Sequence, residues 1–486
     1  MSTEKESPIS LLKGWLLSNI VLILILTAAA AVWTWVFSSA CLQFIASGAE
    51  PFRGAWNGVG HFELFGYTVN FDFEGYLDYD YYYNSWGSQF LNGIMPYTNL
   101  FNQISFGGHL YNVPYFLPPL YVYMCALGRS LPIDPFGIGL VITVFGFLTA
   151  FPIYGISSFL SKNRRVAEIS VLAYLFNPVV LYYTVFEWLN PAPFVFFMTL
   201  SFFLLMRGKR ISGSLAMVTA VLFKQTAIFL ALPVIAFIIK RPSQPSEGET
   251  DVNPRDEFDL RGFTKTTIVV VLYLVTISIP YLLNPGNYFY YLLIRPGGVL
   301  LTNLQNLPAP GQPVTLASLL IFLGAPTPLI DIVNKAVYYG FPLVFSSITI
   351  FAVMLFRVRS DLKPETYWRR ILYLALLLIL TVHLFSPRGI FKYYLVALIP
   401  FLSIQSVSSM ISAKADKVKA SFFMILNPIL LGLLILIINR YVDIVFLLLF
   451  FFGYLCHKQF SLVQEMVRDG LNLIDNKVKQ LFAIED

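Results

Sequence analysis

Apolar residues in this chain fall into runs of roughly twenty, the length that crosses the hydrocarbon core of a bilayer. That spacing restricts the fold more than any motif does, because backbone polar groups inside a membrane must be satisfied within helices or closed barrels. The runs are continuous rather than alternating, so helices are expected. The composition agrees: 57% of residues are hydrophobic, only 12% are charged and mean hydropathy is +0.69. A soluble chain carries about 25% charged residues. The expected fold class is an all-α polytopic membrane protein with about twelve transmembrane helices and further helices lying along the outer face.

Basic residues give the runs an orientation. Lys13 precedes the first span, Trp15 to Phe37. The positive-inside rule therefore places the N-terminus in the cytoplasm. That span is too long for a cleavable signal and is expected to be retained. If residues 115–131 crossed, Lys162, Arg164 and Arg165 would fall outside, and so would Arg207, Lys209 and Arg210. A segment that only dips into the outer leaflet avoids both violations. Pro118 and Pro119 suit the start of such a short helix. Spans are then expected at 136–160, 166–185, 191–206, 211–223, 226–239, 266–283, 336–356, 371–385, 393–411, 420–438 and 444–456. Most Lys and Arg then lie inside, leaving Arg53, Arg129, Lys224, Arg295, Lys335, Arg388, Lys392 and Arg440 outside. Net charge +6 spread over span ends implies membrane lipids as partners and no nucleic acid.

The domain reading follows. Residues 1–14 form a cytoplasmic N-terminus. Residues 15–240 form a first module, with an outer loop at 38–135. Residues 241–264 form a polar, Pro-containing linker. Residues 265–458 form a second helical half with an outer loop at 284–335. Residues 459–486 form a cytoplasmic amphipathic tail. The cysteines Cys41, Cys125 and Cys456 have no paired spacing and suit apolar filling.

One stretch of the first loop breaks the greasy pattern. Residues 72–83 hold four carboxylates, Asp72, Glu74, Asp78 and Asp80, and five tyrosines. Tyr82, Trp86, Phe90 and Ile94 recur every four residues, so a helix with one apolar stripe is expected, stopped by Gly93 and Pro96. Asp78 or Asp80 at its start serves as an N-cap, but a cap needs one acid and four are present. The functional alternative is a carboxylate held on a rigid surface helix, able to take a proton or to hold a divalent metal. Glu187, in the turn before Asn190 and Pro191, is either a solvated turn residue or a second site acid. Arg388, Lys392, Lys224 and Arg295 each have a bland explanation in snorkelling. As a group they suit a lipid-borne phosphate; His383, near the outer end of its span, is more simply a packed polar residue than a catalytic group. Walker A, His-Glu-x-x-His and Gly-x-Ser-x-Gly patterns do not occur, so nothing suggests ATP-driven transport, zincin proteolysis or esterase chemistry.

Several stretches together resemble the GT-C superfamily of membrane glycosyltransferases. They are Asp78 to Asp80 followed by Gly93, Pro96 and Tyr97; Phe116 to Tyr121; Phe176 to Pro178 followed by Glu187; Phe223 to Ala227 with Pro233; and the run Arg388 to Tyr394. The resemblance covers roughly residues 15–411 and looks mannosyltransferase-like. It implies an inverting enzyme that moves a hexose from a polyprenyl-phosphate donor to a hydroxyl of a lipid-linked glycan or glycoprotein. Asp80 or Asp78 would be the base, with Glu187 nearby, the cations would receive the phosphate, and Tyr82, Tyr83, Trp86, Tyr97 and His383 would contact the sugar or acceptor. The resemblance makes no cofactor certain and leaves a divalent metal at Asp78 and Asp80 open. It implies the extracytoplasmic side of a prokaryotic plasma membrane, or of the ER membrane. The departures are Glu187 in place of an Asp, no Gly-Gln before it, and no His-Glu-Arg-Tyr near Arg388. Two other function classes compete: a transporter or flippase of lipid-linked sugars, and a non-catalytic subunit.

Overall fold

The computed structural model describes residues 8–46, 58–64, 67–76, 78–98, 103–106, 109–112, 114–240, 258–308, 312–359, 363–409 and 422–456. The expected amphipathic tail and most of the expected linker lie outside them. The fold is helical, as the apolar runs predict. Among the described residues, four helices are long and apolar enough to cross a membrane: Asn19–Ala46, Gly137–Ser161, Leu260–Leu282 and Pro364–Leu384. Two bent pairs, Arg164–Leu175 with Pro178–Phe186 and Thr327–Tyr338 with Phe341–Phe356, raise the number to six if each is one span. These helices make a multi-pass membrane protein.

The twelve crossings expected from the sequence are not what the described helices show. Several apolar runs form helices of 10–17 residues, among them Pro191–Met206, Arg210–Phe223 and Ala227–Ile239. At about 1.5 Å per residue these are shorter than the ~30 Å core. The helix Pro119–Arg129 has eleven residues and begins on Pro119, so segment 115–131 is also too short to cross.

Burial separates the spans by role. Pro364–Leu384 is buried along nearly its whole length, from Tyr367 and Trp368 to Leu384. From Ile371 to Leu380 its residues are apolar on every side, which suits a helix surrounded by others. Asn19–Ala46 and Leu260–Leu282 are mostly exposed and run along the periphery. Trp33 fixes the first of these by donating from Nε1 to the Leu175 carbonyl at 2.8 Å.

One end of the bundle collects ion pairs. Glu168, buried, accepts from Arg164 at 2.9 Å and Arg165 at 2.6 Å. Lys162 meets Glu365 at 2.7 Å, and Arg210 meets Asp259 at 2.8 Å. The opposite end carries the first loop. There β1 (Gly58–Leu64) pairs antiparallel with β2 (Tyr67–Phe73), and β3 (Gln103–Phe106) pairs with β4 (His109–Asn112).

Between the two hairpins lies the helix predicted from the aromatic stripe. A π-helical turn, Tyr79–Tyr83, runs into an α-helix, Asn84–Leu91. It packs on Pro119–Arg129 so closely that a Cβ on Gly87 would meet the Cys125 carbonyl oxygen at 2.8 Å. The stripe therefore faces protein: Trp86 is buried, and Phe90 packs on Tyr123 with ring centroids 5.4 Å apart.

Trp188 locks this end to the bundle. It is fully buried, has a left-handed φ of 54° and lies against Tyr79 at 4.7 Å. A bulky residue in that backbone region is strained and persists only where packing holds it. Gly139 leaves room for its ring; a Cβ there would lie 2.5 Å from it. Gly139→Ala is therefore expected to destabilise the protein by about 1–3 kcal/mol, seen as a lower melting temperature in detergent. An unchanged melting temperature would mean that Trp188 is not packed this way.

Candidate functional site

The first loop, the helix ends and segment 386–394 enclose a cavity of about 490 Å³. That lies within the ~300–1,000 Å³ typical of ligand sites. Its walls are aromatic and its polar groups few, and Asp78, Lys224 and Arg388 supply the charge.

Each of the three is placed by local backbone chemistry. Arg388 lies in a segment zipped to its neighbours: Val299 donates to Pro387 at 2.7 Å, and Val314 and Ile390 exchange bonds at 3.0 and 2.7 Å. Gly389 makes the turn possible. Its φ is 79°, and a Cβ there would lie 2.9 Å from Pro313. Lys224 follows the Arg210–Phe223 helix in extended backbone. Next to it, Gln225 donates to the Phe116 carbonyl at 3.0 Å. Asp78 stands at the head of the π-turn, which Tyr79 pins by donating to the Pro135 carbonyl at 2.6 Å.

Asp78 does not cap the helix that it opens. It has helical backbone angles and no side-chain bond to the first turn. Its Oδ2 instead accepts from the Tyr393 hydroxyl at 2.8 Å. Burial pushes the Asp78 carboxyl above its usual range, while Tyr393, Arg388 and Lys224 oppose the shift. Lys224 Nζ is buried, donates to Asn190 Oδ1 at 2.8 Å and lies 3.9 Å from the Tyr394 ring centre. Burial, and then Arg388, hold its ammonium well below the ordinary lysine value, against Asp78. The Arg388 guanidinium lies 4.6 Å from the Phe116 ring centre. Among the described residues no carboxylate lies within ion-pair distance of it. Burial lowers the pKa of Arg388, but Tyr394, Tyr393 and Asp78 outweigh that and raise it. Arg388 thus holds a permanent charge, beside an acid that resists ionising and a lysine that releases its proton readily.

The remaining candidates separate clearly. Tyr82, Tyr83 and Trp86 line the cavity. Burial, with the charges of Asp78 and Tyr81, pushes the Tyr82 hydroxyl up to about 12. Arg295 is exposed at the rim, 5.5 Å from the Tyr291 ring centre. Tyr97 points elsewhere, donating to the Leu117 carbonyl at 2.7 Å inside a buried aromatic cluster. His383 packs behind Tyr394, its ring nitrogens 2.7 and 2.9 Å from the Ile379 and Tyr394 carbonyls. Lys392 is buried and faces away. It reaches the Leu436 and Ile438 carbonyls at a helix end, with Asp443 at 3.7 Å. The Asp80 backbone lies in the π-turn, but its side chain, like that of Asp72, lies outside the described residues.

Glu187 belongs to a second, buried group. It is 7% exposed, so it is not a solvated turn residue, and it accepts from the Tyr76 backbone at 3.4 Å. The Tyr76 hydroxyl donates to Glu74 and accepts from Lys392 N at 3.1 Å. Glu74 also meets Arg440 at 3.3 Å. Asp78 faces two cations across the cavity, Lys224 and Arg388. Among the described residues no group of three His, Cys, Asp or Glu converges.

Residues 107–293 match the family model of the GPI transamidase subunit PIG-U. The match spans less than half the chain and includes Phe116, Asn190 and Lys224. No curated protein matches the chain. This finding overturns the GT-C resemblance and the glycosyltransferase activity drawn from it. The motifs behind that resemblance are short, and the structure gives several of them packing roles. Gly93 has a φ of 79° and ends a helix, Tyr97 is core, and Asn177 caps a helix and donates to the Pro428 carbonyl at 2.9 Å.

Sequence reasoning missed Tyr393 as the partner of Asp78, and it missed Asn190 as the partner of Lys224. Both lie in stretches that it singled out. What was hidden is the 3-10 turn Lys392–Leu398, which sends Lys392 inward.

Two tests follow. Because the Asp78 pKa is raised by folding, its contribution to stability is complete below the unfolded value and falls as pH rises through the folded value. Asp78→Asn removes that loss. Its melting temperature is expected to gain on wild type as pH rises through the weakly acidic range; a gap that narrows would contradict the buried carboxyl. Arg440→Ala leaves Glu74 without its cation and is expected to destabilise by about 3–5 kcal/mol, measured by thermal unfolding. A loss too small to resolve would place Arg440 in solvent.

Proposed function

We propose that this chain is a non-catalytic membrane subunit of a GPI-transamidase-type complex, and that its cavity holds the phosphate of a lipid-borne anchor. The observation that carries this reading is the match of residues 107–293 to the PIG-U subunit family, because that segment supplies Lys224, Asn190 and Phe116 to the cavity. Arg388 would be the main phosphate contact, since a guanidinium forms paired hydrogen bonds to phosphate oxygens. Lys224 would gain its full charge as the anion arrives. Tyr82, Tyr83 and Trp86 offer flat faces for sugar rings, with hydroxyl or N–H groups at their edges. The roles of Asp78 and Glu187 are positional: Asp78 orients Tyr393, and Glu187 helps anchor the loop. The expected outer-side orientation would put the cavity on the extracytoplasmic side, and this reading favours the ER membrane over a prokaryotic plasma membrane.

The test is to isolate the tagged chain from its own membranes and measure both its companion subunits and the retention of an added GPI lipid. Arg388→Gln is expected to weaken lipid retention by about tenfold to a hundredfold and to leave the companions unchanged. Retention equal to wild type would remove the cavity from the account. A chain isolated without companions would remove the subunit reading.

A further inference from the structure

At the end of the bundle that collects ion pairs, away from the first cavity, a groove of about 600 Å³ runs between the helices Ala150–Ser161 and Pro191–Met206. Its walls are apolar, including Phe151, Phe196 and Phe203, and it ends at two cations, Lys162 and Arg207. Each cation directly follows the last residue of its helix. Gly137–Ser161 is a candidate span, so the groove lies along a membrane-crossing helix and the cations lie at one end of it.

We infer that this groove is a binding site for an anionic phospholipid, with one acyl chain along the phenylalanines and the headgroup phosphate between Lys162 and Arg207. Charge complementarity selects this occupant. Basic pockets between membrane helices are suited to anionic headgroups, whereas a partner helix would bury the charges against apolar surface. The cations are also held in position. Lys162 Nζ lies 5.0 Å from the Phe159 ring centre, and the Arg207 guanidinium lies 5.7 Å from that of Phe203. Both side chains are exposed at the mouth of the groove. Arg207 has no carboxylate within ion-pair distance among the described residues. Lys162 has one competitor, Glu365 at 2.7 Å. Snorkelling alone accounts for two exposed cations, but not for the apolar groove that leads up to them.

The site is tested on the full chain in nanodiscs of phosphatidylcholine, alone or mixed equally with phosphatidylserine. Retained lipid is counted by native mass spectrometry. Wild type is expected to retain phosphatidylserine in preference to phosphatidylcholine. Lys162→Gln with Arg207→Gln is expected to lower that retention about tenfold or more, with an unchanged melting temperature in phosphatidylcholine alone. Ser158→Trp, which fills the groove and leaves both charges, is expected to lower it as well. Glu365→Gln frees Lys162 and is expected to raise retention a few-fold, an effect that a purely structural ion pair would not produce. No preference in wild type, or a Glu365→Gln variant that retains no more than wild type, would overturn the proposal. So would full retention in either loss variant.

Discussion

Charge at the loop end of this molecule is buried among aromatic rings, and everything there is arranged around pairing it. A buried ion without a partner costs several kcal/mol. Glu74 answers to Tyr76 and Arg440, and Lys392 answers to Asp443 and two helix-end carbonyls. The Glu74–Arg440 contact ties the first loop to a helix more than 300 residues later in the chain. With the loop held, Asp78, Lys224 and Arg388 can stand around an open cavity instead of collapsing onto one another. Among the described residues Arg388 has no carboxylate within ion-pair distance, and the proposed lipid phosphate would supply its partner.

Much of this was legible in the sequence. Apolar run length gave a helical membrane protein. The four-residue spacing of Tyr82, Trp86 and Phe90 gave the loop helix, and Gly93 gave its end, but the stripe packs on protein. Positive-inside reasoning expects segment 115–131 not to cross, and the helix there has only eleven residues. The number of crossings was not legible. Hydropathy finds where apolar runs lie, but whether a run makes a full span depends on bends at residues such as Gly340, whose φ of 70° lies between two helices. The hairpins in the first loop carry no strong local signal.

The site was half legible for a related reason. Residue type placed acids, cations and tyrosines at one end, and the structure brings Asp78, Lys224, Arg388, Tyr82, Tyr83 and Trp86 to one cavity. Direction was not available from type. Lys392 and Tyr393 are neighbours in sequence, yet one faces a helix end and the other faces Asp78. Short motifs made the chain look like a glycosyltransferase for the same reason: Gly93, Pro96 and Tyr97 serve folding, and a recurring folding solution resembles a recurring active site. The longer match, over residues 107–293, is to the family model of the GPI transamidase subunit PIG-U. On the proposed reading, the cavity holds an anion without transforming it.

That distinction can be measured directly. Purified chain, separated from any companion, is incubated with a GPI lipid, and the lipid is recovered and weighed by mass spectrometry. The account predicts that lipid binds in proportion to protein and returns with its mass unchanged. A product of altered mass, formed by the chain alone and lost with Asp78→Asn, would show the cavity to be an active site and contradict the account.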